Sequence, residues 1–152
     1  MGITLMSLII GASTLAFQPL LDTWSLVSPL NESTDSSSYA LSRISFEVSQ
    51  VKDANSIVTA NAGEFKFTNV SSDSIDYKLS GANLMRNADI LARNVQGVAF
   101  SYYDINNAAI AAPQVSPSKT NIWRIVVKVT VQKGGQSVTL ESGVHPRNFS
   151  RL

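Results

Sequence analysis

The chain has no cysteine and only one histidine, His145, among its 152 residues. Without cysteine it forms neither a disulfide nor a thiolate metal site, and a lone histidine cannot build the usual zinc sites. The sequence also lacks a Gly-rich phosphate loop and a nucleophile elbow. We therefore expect a protein that is not an enzyme, with no cofactor and no small-molecule substrate, and a His145 that lies at the surface.

Charge is scarce as well. Charged residues make up 15% of the chain, the formal net charge is +1, and no basic cluster is present to meet phosphates. Direct binding of nucleic acid is therefore not supported. Ser, Thr and Asn supply the polarity instead, and the length is sufficient for one domain with a hydrophobic core of its own.

The longest uncharged stretch is the N-terminus, where residues 1–21 read MGITLMSLIIGASTLAFQPLL before Asp22. A transmembrane helix needs about 20 mostly apolar residues, which this segment just reaches. A secretory signal peptide cut after Ala16, with Thr14 as the small residue two positions before, is a second interpretation, although the segment has no Lys or Arg. A buried core helix is a third, and it is unusual at the first residue of a chain.

The segment GITLMSLII, residues 2–10, resembles the N-terminal motif of type IV pilins and pseudopilins. The resemblance implies that a prepilin peptidase cuts between Gly2 and Ile3 and methylates the new N-terminus. Two features depart from the family: Ser7 stands where the family usually has a glutamate, and the leader is only Met1-Gly2. That glutamate normally pairs with the N-terminal amine of a neighbouring subunit. Its loss implies a subunit of a tip or an initiation complex and not a major one.

After a polar segment, NESTDSSS, that reads as a linker or the start of a helix, residues 38–55 have helical periodicity. Leu41, Ile44, Val48 and Val51 recur at helical spacing and form one apolar stripe, which we expect to pack on a sheet. Tyr39 and Phe46, seven residues apart, fall on the opposite side. They are either scattered surface aromatics or contacts with neighbouring subunits.

The second half of the chain has the alternation and turn residues of β-strands. The expected strands are residues 64–70, 74–80, 84–86, 98–103, 121–133 and 137–144, with hairpin turns at 81–83 and 134–135. We expect residues 87–97 to be a loop closing over the core and residues 104–119 an irregular connection. Asp104, followed by Ile105-Asn106-Asn107, has the oxygen ligands that calcium prefers, although a turn stabilised by Asp and Asn side chains fits the same residues.

The order of these elements predicts an α+β fold, in which a hydrophobic and interrupted N-terminal helix packs on one antiparallel sheet of four to six strands. Several short motifs in this half resemble minor pilins and the J-like group of minor pseudopilins of type II secretion. They are Tyr77-x-Leu79, Leu84-x-Arg86, Leu91-Ala92-x-Asn94-Val95, Phe100-x-Tyr102-Tyr103-Asp104, the expected strand segment Ile125 to Val131, and Val144-x-Pro146-Arg147-Asn148.

The resemblance implies a leader and membrane or filament-core helix over residues 1–30 and a globular periplasmic domain over residues 31–152. It also implies a single-pass protein of the bacterial inner membrane that is extracted into a filament with other minor pilins or pseudopilins and a major pilin. The alternative is a secreted, soluble, β-rich binding module with an ordinary signal peptide. Its mature chain would begin at Phe17, not at Ile3.

Overall fold

A computed structural model describes residues 34–113, 121–133 and 135–149. In these residues the α-helix, α1, covers residues 34–49. It starts four residues and ends six residues before the helix that the sequence predicts. The chain then leaves the helix through Gln50, and Val51 pairs with Asn69 in an isolated β-bridge. Val51 is β-branched and so favours an extended backbone. The helix ends before Val51, although the apolar spacing of the predicted stripe continues to this residue.

Five strands follow in a meander that we call sheet one. A short 3₁₀ helix, Ala54–Ser56, precedes them, and its N-cap Asp53 accepts a hydrogen bond from the Ser56 amide. The strands are β1 Ile57–Ala60, β2 Glu64–Thr68, β3 Ser74–Ser80, β4 Asn83–Arg86 and β5 Asp89–Arg93, paired antiparallel in sequence order.

Four further strands form sheet two, in the order β7-β6-β8-β9. They are β6 Val95–Tyr103, β7 Ala109–Ile110, β8 Arg124–Lys133 and β9 Gln136–Val144, all antiparallel to their neighbours. The β8–β9 hairpin is the one the sequence predicts, because Lys133 pairs with Gln136 and leaves two residues between them. β9 is therefore an edge of sheet two.

The two sheets and α1 share one hydrophobic core. The stripe predicted from the sequence is confirmed, since Leu41, Ile44, Val48 and Val51 are all buried in that core. Phe65 of β2 joins the sheets, with its ring centroid 5.7 Å from that of Phe100 on β6. The Tyr102 hydroxyl on β6 donates a 2.7 Å hydrogen bond to the Asn61 carbonyl beside β2. Burial raises the pKa of Tyr102, which keeps this hydroxyl a donor.

The predicted fold class is wrong. The described residues form a mostly β structure with two antiparallel sheets and one short helix, where the sequence predicted α+β with a single sheet. The error arises at residues 87–97, where we expected a loop. Asn87 and Asn94, both with positive φ, instead make turns on either side of β5. β6 then pairs with β8, not with β5, and so begins a second sheet.

The predicted N-terminal hydrophobic helix of residues 1–30 lies outside the described residues, as do Gly2, Ile3 and Ser7. Within the described ranges, no helix is both long and apolar enough to cross a membrane.

Candidate assembly surface

α1 has two sharply different faces. At about 100° per residue, its buried residues Ser37, Ala40, Leu41, Ile44 and Val48 fall within an arc of about 100°. Its exposed residues occupy an arc of similar width on the opposite side. These define what we call the outer face of α1: Asp35, Ser38, Tyr39, Ser42 and Phe46. The helix is therefore packed on one side and open on the other.

Two of the five residues on the outer face are aromatic. Tyr39 is 64% exposed and Phe46 is 59% exposed, and only Asp35 on this face carries a charge. The hydroxyls of Ser38 and Ser42 donate to the carbonyl oxygens of Thr34 and Ser38, each at 2.9 Å. Because these hydroxyls are already hydrogen-bonded to their own helix, a partner could cover them without leaving a buried donor unpaired. The outer face suits an apolar contact.

One flank of α1 is tied to sheet one by the carboxylate of Glu47. Arg86 Nε on β4 lies 2.8 Å from Glu47 Oε2 and 3.1 Å from Oε1, and the Tyr77 hydroxyl on β3 donates to Oε2. Arg43, one turn earlier on the helix, adds a contact of 3.2 Å. Tyr77 and Arg86 are cross-strand partners, so their side chains emerge side by side beneath the helix. We call these four residues the Glu47 network.

Burial and charge oppose each other in this network. The Glu47 side chain is only 13% exposed, and burial alone would raise the pKa of its carboxyl. The hydrogen bonds from Arg86, Tyr77 and Arg43 outweigh burial and lower that pKa below its ordinary value. Burial and the hydrogen bond to Glu47 raise the pKa of the Tyr77 phenol. Glu47 therefore stays ionised, and Tyr77 stays protonated as its donor.

The other flank of α1 is tied to sheet two and to the chain beyond it. The Ser45 hydroxyl donates to the Ser142 hydroxyl on β9 at 2.8 Å. The Arg147 amide donates to the Ser49 carbonyl at 3.1 Å, and the Asn148 side-chain amide donates to the Val51 carbonyl at 3.0 Å. The first of these two contacts satisfies a carbonyl at the end of the helix that has no partner within it. The second joins Asn148 to the chain just beyond the helix. α1 is thus held on both sides.

Within the described residues, no three His, Asp or Glu side chains come together as a metal site would require. One carboxylate oxygen of Asp104 instead accepts hydrogen bonds from the amides of Asn106 and Ala108, at 2.9 and 2.8 Å, which is the turn that the sequence offered as the alternative to calcium. His145 is exposed, as expected, and lies near the Trp123 carbonyl and ring.

The structure therefore places Tyr39 and Phe46 together on one open helix face, opposite the buried stripe. Their role as contacts stays a prediction. The Glu47 network was not predicted from the sequence. A helical glutamate four residues after an arginine was a signal for the Arg43 pair. No signal pointed to Tyr77 and Arg86, which lie 30 and 39 residues further along the chain.

Comparison with known proteins does not assign this chain to a family. The chain matches no protein-family model, and no curated protein matches it. The resemblance to type IV pilin-like proteins, which rests on short motifs, stays a prediction.

Proposed function

We propose that this chain is a non-enzymatic filament subunit, a minor pilin or pseudopilin that joins the tip or initiation complex of a type IV pilus or a type II secretion pseudopilus. The observation that carries the proposal is the outer face of α1. Tyr39 and Phe46 stand exposed on a helix whose opposite face is fully buried and whose two flanks are hydrogen-bonded to different sheets. Such a helix presents aromatic side chains to a partner without moving itself.

Apolar burial would drive the assembly. An aromatic side chain buries roughly 150–250 Å² when fully covered, so covering the exposed part of each ring removes on the order of 100 Å² from water. At about 25 cal/mol per Å², that contributes about 2–3 kcal/mol for each ring. The charge-free residues 1–21 would add further burial between helices in the filament core.

The proposal places residues 1–30 in the bacterial inner membrane before extraction, with the domain of residues 31–152 in the periplasm. Its partners are a prepilin peptidase, other minor pilins or pseudopilins, and a major pilin. Processing between Gly2 and Ile3 would leave Ser7 where the family usually has its glutamate, so the ion pair with a neighbour's amine is missing. A subunit that lacks this ion pair has one contact fewer with a neighbouring subunit, which suits a position at the end of a filament.

The mature N-terminus tests this proposal directly. Intact mass and N-terminal sequencing of the protein from its native membrane fraction should give a chain beginning at Ile3, heavier by one methyl group. A chain beginning at Phe17 in the soluble fraction would rule out prepilin-type processing.

The outer face has its own test, with a matched control. Phe46→Ala should weaken assembly and leave the melting temperature nearly unchanged, because the ring is largely exposed and contributes little to the core. Ile105→Ala, in the turn after β6, removes a side chain that is similarly exposed at 51% and should change neither property. If Phe46→Ala leaves both folding and assembly unchanged, the outer face is not a contact surface.

A second candidate function is a secreted, soluble, β-rich binding module. It is favoured by the mostly β structure of the described residues and by the long edge strand β9. The same N-terminal sequencing separates the two candidates, because this one requires a cleaved signal peptide and a chain that begins near Phe17.

A further inference from the structure

β9 is an unusually unprotected sheet edge. It pairs with β8 through nine consecutive residue pairs with no bulge, and no backbone hydrogen bond joins residues 136–144 to any described residue outside β8. It contains no proline and a single charge, Glu141, which is bonded to Lys128 of β8 at 3.0 Å. Proteins usually protect such edges with bulges, prolines, lysines or short strands, because an open edge pairs with another chain.

The other edges of both sheets carry that protection. β7 has two residues, and β1 has four residues with an irregularity in its pairing to β2. β5 has five residues, begins with Asp89 and ends with Arg93, and its pairing to β4 is also irregular. The exception at β9 therefore calls for an explanation.

From this contrast we infer that β9 pairs antiparallel with β9 of a second copy of this chain, which joins the two copies of sheet two into one continuous sheet. This inference does not rest on the proposed filament function, because it concerns an edge of the globular domain and not α1. A two-fold pairing of identical strands requires that the strand be complementary to itself, which its sequence allows us to check.

The direction of the backbone groups limits the possible registers. Lys133 and Gln136 close a two-residue hairpin and so form a hydrogen-bonded pair, after which hydrogen-bonded and non-hydrogen-bonded pairs alternate along the ladder. The amide and carbonyl groups that point away from β8 are consequently those of every second residue: Ser137, Thr139, Glu141 and Gly143. A partner strand must offer its own outward groups opposite these.

One register satisfies all four residues. With Leu140 opposite Leu140 of the second copy, Thr139 faces Glu141 and Ser137 faces Gly143, so every outward residue has a partner. In the register that is two residues closer to the start of β9, Thr139 lies opposite Thr139 of the second copy, and Gly143 then has no outward residue of β9 opposite it. In the register that is two residues closer to the end, Glu141 lies opposite Glu141, and like charges directly opposite are unfavourable.

The side chains agree with this register. Val138 and Leu140 are partly buried and pack against the core, so their face of β9 is already apolar. The two Leu140 side chains would meet in a non-hydrogen-bonded pair, where side chains approach most closely. They would extend the core of one copy into that of the other.

Cysteine cross-linking tests both the contact and its register. Because the chain has no cysteine, any disulfide in a single-cysteine variant joins two copies. Leu140→Cys places two thiols in a close non-hydrogen-bonded pair, within the distance that a disulfide requires. Val138→Cys is the matched control: it lies on the same face, but its counterpart in the second copy is four residues away along the strand, at roughly 3.4 Å per residue.

Under mild oxidation of the full chain in detergent, Leu140→Cys should be converted to a species of twice the 16.4 kDa chain mass, while Val138→Cys stays mostly uncross-linked. Equal cross-linking of the two variants would show random collision and overturn the inference. No cross-linking of Leu140→Cys, with the chain monomeric by light scattering, would overturn it as well.

A second variant keeps the test independent of the cysteines. Thr139→Pro removes an outward amide donor and leaves the backbone hydrogen bonds between β9 and β8 in place, since proline is tolerated where the N–H of an edge strand faces solvent. It also removes the exposed hydroxyl contact of 3.0 Å between Thr139 and Thr130 of β8. We expect it to lose the dimer by light scattering while its circular dichroism spectrum stays that of the wild type. A dimer that persists in this folded variant would show that β9 is not the interface.

Discussion

The Glu47 network should make a measurable contribution to stability, and Glu47→Gln isolates it. Glutamine keeps the shape of the side chain but removes its charge and turns one acceptor oxygen into a donor nitrogen. Arg86, whose side chain is 21% exposed, then loses its counter-ion. Breaking a fully buried ion pair costs about 3–5 kcal/mol and an exposed one about 0–1, so we expect a loss of about 2 kcal/mol at pH 7.

That loss is large enough to measure by urea or thermal unfolding. For a chain of this length, 1 kcal/mol shifts the melting temperature by about 2–4 °C, so Glu47→Gln should melt roughly 4–8 °C below the wild type. Glu141→Gln is the matched control, because it removes another ion pair, with an N···O distance of 3.0 Å, whose side chains are 47% and 52% exposed. We expect no measurable change from it, since water screens such a pair.

The pH dependence gives a second and independent readout. The pKa of Glu47 is lowered in the folded chain, so its stabilisation is complete above the unfolded-state pKa of about 4.3 and is lost as the pH falls through the folded-state value. Protonated glutamate and glutamine carry the same charge. The difference in unfolding free energy between the wild type and Glu47→Gln should therefore shrink as the pH falls below about 4.

Two results would refute this reasoning. The first is a Glu47→Gln variant with the melting temperature of the wild type at pH 7. That result would mean that hydrogen bonds to water stabilise Arg86 and Tyr77 as well as Glu47 does. The second is a stability difference that stays constant from pH 7 to acid, which would assign the loss to packing and not to the charge of Glu47.

Three further predictions concern other parts of the chain. Ile44→Ala, at the centre of the buried stripe, should lower the unfolding free energy by about 3 kcal/mol in urea denaturation, whereas a loss below about 1 would contradict its packing. Asp104→Ala removes two hydrogen bonds of an exposed turn and should cost about 1 kcal/mol, and added calcium should not raise the melting temperature of the wild type; a rise would mean that the carboxylate binds the ion. Ser7→Glu should alter incorporation of the subunit into filaments, measured by immunoblotting of sheared fractions, and unchanged incorporation would count against a position at the tip.

Sequence periodicity predicted the local elements well. The helical stripe of α1 and the alternation of β2 and β3 are each contained in a short window, where spacing alone decides which side is buried. Phe65 and Phe67 illustrate this: they alternate in the sequence, and both are fully buried.

Pairing between strands was not predictable in the same way. Alternation identifies a strand but does not select its neighbour, and a turn decides whether the next strand joins the same sheet. At Asn94, a single residue with φ of 57° separates β5 from β6 and directs the chain to a second sheet. Asparagine tolerates this conformation, but it also occurs in ordinary loops, so its presence favoured neither outcome.

Two adjacent residues of α1 have different expected roles: one would contact a partner, and the other holds the helix in place. Phe46 lies on the outer face and has little to do with folding, whereas the adjacent Glu47 holds the helix to sheet one and is largely covered. If the outer face is a contact surface, Phe46→Ala should weaken assembly at full stability. Glu47→Gln should weaken assembly only under conditions that also loosen the helix, such as raised temperature. One variant would thus lose assembly but not stability, and the other would lose stability but keep assembly at ordinary temperature. A general loss of folding could not produce both results.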